Sequence, residues 1–176
     1  TLINEEMVEF FKEHKFRVGI SLDGPDHIHN HHRKSVGGRG SFDAVLRGVK
    51  LCQAKRVPVS VVAVVTAYSV QFPREIYQFF LSSGIKGFSF NPAFEPDKEG
   101  RLCDFSVQDT DFADFMQKIF ELWIEDDDPE INIRQLTEPL KGMLGGELTA
   151  CIYSGKCSRF IDIYPDGDVK PCHSFL

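Results

Sequence analysis

Three of the five cysteines lie in one stretch, Cys151-Ile-Tyr-Ser-Gly-Lys-Cys157 followed by Ser158-Arg-Phe-Ile-Asp-Ile-Tyr-Pro-Asp-Gly-Asp-Val-Lys-Pro-Cys172. Its middle reads as a hairpin. Phe160, Ile161 and Ile163 precede the turn and Val169 follows it, while Asp166-Gly167 suits the φ > 0 positions of a tight turn. Closing that hairpin returns Cys172 to the strand that leaves Cys157. Gly155 lets the chain bend between Cys151 and Cys157. Three thiolates then converge on one point, with a fourth ligand still to be supplied.

Three chemistries compete for such a cluster. A disulfide ranks last, because five cysteines in a chain of 176 residues without a secretory segment point to a reducing compartment. Zinc prefers closely spaced cysteine pairs and four ligands. Here the intervals are five and fourteen residues, and His173, adjacent to Cys172, is poorly placed to complete a tetrahedron. An iron–sulfur cluster accepts irregular spacing. Spacing alone leaves zinc and iron–sulfur level. Cys52 continues an apolar helical stripe and reads as a buried thiol; Cys103 has no partner at metal spacing.

A second group of polar residues sits where apolar runs end. Val18, Ile20 and Leu22 alternate as a strand that finishes at Ser21 and Asp23. The β-branched run 59–65 finishes at Thr66, and the strand 86–90 finishes at Asn91-Pro92. In parallel α/β sheets ligands collect at the carboxyl ends of strands. Ser21 and Asp23 there can hydrogen-bond vicinal hydroxyls, although Asp23-Gly24-Pro25 by itself also reads as a plain turn. The polar stretch 26–40 reads as a loop. Its histidines at 27, 29, 31 and 32, beside Arg33 and Lys34, read as a solvated basic loop near an anionic ligand rather than a metal site.

The elements that must carry these residues alternate. Asn4 can cap a helix with Met7, Val8, Phe10 and Phe11 on its face. Ser41 can cap a second, with the stripe Phe42, Val45, Leu46, Val49 and Cys52. Pro73 suits the first turn of a third and Gly84 its end. Residues 59–65 read as a strand buried on both faces. A helix covers 109–124 with a Phe-rich core face, and a shorter one, interrupted at Pro139, covers 134–143. The acidic run 125–128 reads as a solvated helix end. Helix, strand, helix, strand in turn predicts a parallel α/β sheet.

Composition bounds the function. The chain is 42% hydrophobic with 16 Phe, an ordinary folded composition. A net charge of -6 argues against non-specific nucleic-acid binding. No apolar run approaches the length of a membrane span, and the expected location is cytoplasmic. The chain opens on Thr1, and Leu176 comes soon after Cys172, so both ends read as cut from a longer protein.

Two motifs carry a specific resemblance. The C-x5-C-x14-C pattern, with its D-G hairpin and Pro171 before the last cysteine, resembles the opening of a SPASM domain, the auxiliary-cluster module of radical S-adenosylmethionine (SAM) enzymes. Gly19-Ile-Ser-Leu-Asp-Gly-Pro25, His29-Asn-His-His-Arg33 and Gly38-Arg-Gly-Ser-Phe-Asp43 are similar to the G-I-S-x-D-G-P…H-D-x-x-R…G-x-G-S-F motif of the same sulfatase-maturase-like family. Thr1-Leu2-Ile3-Asn4 resembles the tail of the segment before it. The resemblance implies an α/β fold: residues 1–145 as the C-terminal half of a partial (β/α)6 TIM-like barrel, and 146–176 as the start of a β-hairpin cluster-binding module.

By the same resemblance Cys151, Cys157 and Cys172 ligate an auxiliary [4Fe–4S] cluster. Ser21 and Asp23 lie at the SAM ribose and methionine moieties, Arg33 faces the SAM carboxylate, and Asn91 lies near the adenine. His173 stands where sulfatase maturases carry an Asp that acts as a base, a role open to imidazole near neutral pH. The C-x3-C-x2-C of the catalytic cluster is absent from these residues, so this stretch alone is not expected to cleave SAM. The implied parent generates a 5′-deoxyadenosyl radical, draws electrons from a donor such as ferredoxin or flavodoxin, and modifies a residue of a peptide or protein. Peptide crosslinking or maturation ranks first and formylglycine formation in a sulfatase second. A zinc-stapled binding module without catalysis is the alternative from another class.

Overall fold

The computed structural model describes residues 2–155 and 161–170. The chain divides into two compact units, Thr1–Arg134 and Gln135–Leu176.

The first unit is built on a parallel sheet of four strands: β1 (Val18–Ser21), β2 (Val59–Val65), β3 (Gly87–Pro92) and β4 (Asn132–Ile133), side by side in that order. Ile20 pairs with Val61, and Val61 with Phe88; Ala63 pairs with Phe90. The helices are α1 (Glu5–Glu13), α2 (Asp26–His32), α3 (Phe42–Ala54), α4 (Pro73–Ser82) and α5 (Asp109–Asp126). Asn4 caps α1 by accepting from the Met7 amide at 2.9 Å. Pro73 opens α4, where its missing N–H removes no helical bond.

Side chains alternate across a strand, and the sheet uses the two faces differently. Ile20, Val61, Ala63, Val65, Phe88 and Phe90 are buried. A chain of rings continues that face into the helices: Phe80 lies 5.0 Å from Phe88, and Phe90 lies 5.1 Å from Phe115. Tyr77 on α4 donates to Asp126 on α5 at 2.9 Å. On the opposite face Gly19, Ser21 and Ser60 are exposed, and Val62 and Val64 are half-buried. The run 59–65 is therefore covered on one face and half-open on the other, not buried on both as its unbroken β-branched sequence suggests. Cys52 is fully buried with Val8 and Val57, and burial pushes its thiol pKa up.

Two elements depart from the sequence expectation. β4 had no signal, since it is two residues long, but Ile131 and Ile133 are buried beside β3. The stretch expected as a loop at 26–40 begins with α2. Asp26 sits favourably in its first turn. A helix shorter than two full turns with one buried aliphatic residue, Ile28, leaves no readable apolar period.

In the second unit, α6 (Arg134–Met143) runs through Pro139 without the expected interruption. α7 (Cys151–Ser154) ends at Gly155 in the left-handed region, φ 66. β5 (Asp162–Ile163) and β6 (Val169–Lys170) form the expected hairpin, Ile163 opposite Val169. Gly167, at φ 92, supplies its positive-φ turn position.

Candidate functional site

The site is built at the carboxyl end of β1. Gly24, at φ 146, turns the chain from strand to helix, and a Cβ there would lie 3.1 Å from Ile76. Asp23 just before it is buried to 6% exposure. A buried carboxylate requires partners, and Asp23 has three donors from two residues. Arg33 grips it with both prongs of its guanidinium, Nε to Oδ2 at 2.5 Å and Nη2 to Oδ1 at 3.0 Å. The Val64 amide donates to Oδ1 at 2.9 Å. Asp23 thereby extends the sheet ladder one step past the last residue of β1. A carboxylate offers about four acceptor positions, so one remains on Oδ2 for an incoming hydroxyl.

Arg33 closes α2, its amide donating to the His29 carbonyl at 3.0 Å. It borders two clefts. One, of about 460 Å³, is lined by Gly19, Ser21, His29, Arg33, Lys34 and Ser41 among others. The other, of about 290 Å³, is lined by Asp23, His32, Arg33, Thr66 and Phe105 among others. The first combines two cations with two hydroxyls, a lining suited to a zwitterion with a carboxylate. The second offers apolar walls beside the Asp23 carboxylate.

The structure thus brings Ser21, Asp23 and Arg33 to one strand end. Arg33 is closed on Asp23 rather than standing clear of it. Asn91 is exposed, in register with Val64, and lines neither cleft. Thr66 closes the end of β2 through reciprocal bonds with Ser69, whose Oγ accepts from the Thr66 amide at 2.8 Å.

The histidines do not form the solvated loop that their sequence suggested. On a helix, residues two apart point to nearly opposite sides, so the alternation of His27, His29 and His31 does not gather them. His27 approaches Glu75 at 3.6 Å. His31 stacks on Tyr68, ring centroids 3.9 Å apart. His29 is completely buried; its Nδ1 accepts from the Asp23 amide at 3.3 Å, and its Nε2 lies 3.0 Å from Ser41 Oγ. Burial holds its pKa below the ordinary imidazole value, opposed by the Asp23 charge and reinforced by Arg33. No group of three or more possible metal ligands occurs among the described residues.

Sequence reasoning missed His29 and Ser41 as parts of this site. One signal was available: His29 and Arg33 are four residues apart, the spacing that puts two side chains on one helix face. It requires α2 to be recognised as a helix first.

Of the cysteine cluster, Cys151 is described. It is a half-buried free thiol at the start of α7, compatible in chemistry with thiolate ligation. Cys157, Cys172 and His173 lie outside the described residues. No helix among the described residues is long and apolar enough to cross a membrane.

No family model matches the chain. Individual proteins do. The cysteine-type anaerobic sulfatase-maturating enzyme of Clostridium novyi is 32% identical over 179 residues, covering 100% of this chain and 48% of that protein. The serine-type anaerobic sulfatase-maturating enzyme of Bacteroides thetaiotaomicron is 29% identical over 191 residues, covering 100% and 46%. Among solved structures, native anSMEcpe with bound AdoMet and Cp18Cys peptide superposes with a TM-score of 0.89 at 30% identity, covering 99% of this chain and 50% of that one. The chain spans about half the length of the curated relatives it matches.

Proposed function

We propose, on the premise that this chain is a homologue of the anaerobic sulfatase-maturating enzymes, which are radical SAM/SPASM proteins, that it forms part of a radical SAM enzyme acting on a peptide or protein. The observation that carries this reading is the Asp23–Arg33 pair at the carboxyl end of β1. It leaves one carboxylate acceptor position and borders two clefts on a half-open parallel sheet.

In this reading Asp23 accepts from, and Ser21 donates to or accepts from, the ribose and methionine parts of SAM. Arg33 and Lys34 supply positive charge for its carboxylate. Asn91, outside both clefts, contributes at the adenine side only if the bound ligand extends beyond them. Cys151, Cys157 and Cys172 hold an auxiliary [4Fe–4S] cluster, and His173 is the candidate base. When bound, the clusters and SAM supply one-electron reductive chemistry. The residues of this chain bind, orient and exclude water. Reducing electrons come from a small donor protein of the ferredoxin or flavodoxin class.

Formation of an aldehyde from cysteine or serine gains support over peptide crosslinking, because the cysteine-type and serine-type relatives both match the whole of this chain. The test uses the whole protein, reconstituted with iron and sulfide without oxygen. It is given SAM, a chemical reductant and peptides with Cys or Ser at the target position. The reading expects 5′-deoxyadenosine and a peptide aldehyde by mass spectrometry. A crosslinked product would favour peptide maturation. Absence of 5′-deoxyadenosine in a protein carrying its full iron would overturn the radical SAM reading.

A further inference from the structure

The Asp23–Arg33 pair is joined a second time, through His29 and Ser41, which also border the first cleft. The Asp23 amide points at His29 Nδ1. A backbone amide can only donate, so Nδ1 must be the unprotonated nitrogen of the ring. The proton of the neutral imidazole is therefore on Nε2, which faces Ser41 Oγ at 3.0 Å. Ser41 Oγ in turn lies 2.9 Å from the Arg33 carbonyl, which can only accept. The hydroxyl has one hydrogen, and Arg33 takes it; toward His29 the oxygen is an acceptor. Every bond runs the same way: Asp23 N–H to His29, His29 Nε2–H to Ser41, Ser41 O–H to Arg33.

Two features show that this arrangement displaces commoner ones. Ser41 is the N-cap residue of α3, a position at which serine ordinarily accepts from a helix amide. Its side chain makes no such bond. The amide of Phe42 is taken by Asn30 Oδ1 at 3.0 Å. Asn30 reaches it because residue 40 is glycine, since a Cβ at Gly40 would lie 2.2 Å from Asn30 Cγ. The second feature is burial. His29 is fully enclosed while its neighbours on α2, His31 and His32, are exposed. A buried imidazole with both nitrogens engaged is rigid, and the Arg33 carbonyl is further held by the Ser41 amide at 3.2 Å.

We propose that His29 and Ser41 are positioning residues, which fix the Asp23–Arg33 pair at the cleft through a one-way hydrogen-bond relay joining the backbones of the two ion-pair partners. This rests on the reading of the cleft as the SAM site. The relay leaves the guanidinium only its side-chain torsions as freedom and sets the direction of the remaining Asp23 acceptor position. It also requires neutral His29, because an imidazolium would place a hydrogen on Nδ1 against the Asp23 amide.

The test uses the whole protein, with SAM affinity measured by calorimetry in Asp23→Asn, Ser41→Ala and Ser41→Thr. Ser41→Ala is expected to weaken SAM binding about three- to tenfold, the worth of one net hydrogen bond. Ser41→Thr, which keeps the hydroxyl, is expected to restore most of it. Since the Ser41 hydroxyl does not cap α3, the alanine variant leaves the helix cap in place. Because that hydroxyl also lines the cleft, a loss in Ser41→Ala counts for the relay only where the His29 ring signals shift with it. Unchanged ring signals would assign the loss to direct contact and overturn the relay. If Asp23→Asn weakens SAM binding and Ser41→Ala binds as tightly as Ser41→Thr, the relay is wrong while the SAM reading stands. If Asp23→Asn binds SAM normally, the SAM reading fails and takes the proposal with it. A second arm needs no variant: with ¹⁵N-labelled histidine, the His29 ring should titrate as the Nε2–H tautomer. A Nδ1–H tautomer, or a charged ring at neutral pH, would overturn the relay.

Discussion

Arg33 acts on Asp23 before it acts on any ligand. Its fork supplies two of the three donors to that carboxylate, and a lysine cannot reproduce a fork. Arg33→Ala in the whole protein should weaken SAM binding by about tenfold or more, the loss expected when a charge-assisted pair is broken. Arg33→Lys should recover little of it. Wild-type affinity for Arg33→Ala in calorimetry would remove the residue from the site. His29 adds a pH dependence. Its folded-state pKa is depressed, chiefly by burial and also by Arg33, against the raising effect of Asp23. The neutral ring therefore stabilises the fold above the ordinary imidazole pKa of about 6.5, and that stability is lost as pH falls through it towards the folded value. The urea midpoint should drop on acidification, and less steeply in His29→Gln; parallel curves for the two proteins would contradict this. Ser21 and Asp23 were legible as candidates from their place at a strand end, although Asp23-Gly24-Pro25 also reads as a turn; Arg33 was legible only through the motif that resembles the family. The relay was not legible. It depends on which nitrogen of a buried ring meets which backbone group, and residue types carry no such information.

At the scale of elements, the Gly-rich motif before α3 acquires separate physical reasons for its positions. Gly38 has φ 77, in a turn closed by its own amide on the Ser35 carbonyl at 2.8 Å. Gly40 makes room for Asn30. Gly40→Ala should push Asn30 off the Phe42 amide and cost about 1 kcal/mol, the worth of a helix cap. Chemical denaturation would read that loss, and unchanged stability would mean that Asn30 finds another route. The aromatic face of α4 matters more. Phe80 is fully buried against Phe88, and Phe80→Ala should destabilise by about 3–5 kcal/mol. The three longer strands could be read, β1 from its alternation, β2 from its β-branched run, and all three from the polar groups at their ends. α2 and β4 could not, because tertiary contacts rather than local periodicity maintain an element shorter than two turns or two residues long.

On the scale of the molecule, the chain is one part barrel-like sheet and one part cysteine segment, each a compact unit. By contact, nearly all of α6 falls with the second unit, whereas the family resemblance implies a boundary after 145. The proposed auxiliary cluster predicts that the whole protein, reconstituted without oxygen, binds more iron than the catalytic cluster holds. Replacing Cys151, Cys157 and Cys172 by Ala should remove that excess and leave part of the SAM cleavage. Full iron in the triple variant, or stoichiometric zinc in the native protein, would move the zinc-stapled module ahead of the auxiliary-cluster reading. The cysteine spacing alone had left those metals level, because thiolates serve both and only the fourth ligand and the geometry distinguish them.

The Val64 amide has a consequence of another kind. It belongs to β2, yet its acceptor is the Asp23 side chain and not a strand carbonyl. An amide in a ladder exchanges its hydrogen with solvent deuterium when the strands part; this one exchanges when a single carboxylate lets go. Its exchange rate is therefore a native isotopic clock for how long the Asp23 carboxylate, which Arg33 also holds, stays seated on β2. Ligand that tightens the pair should slow Val64 selectively, while the amides of Val61 and Ala63, deeper in the same strand, keep their pace.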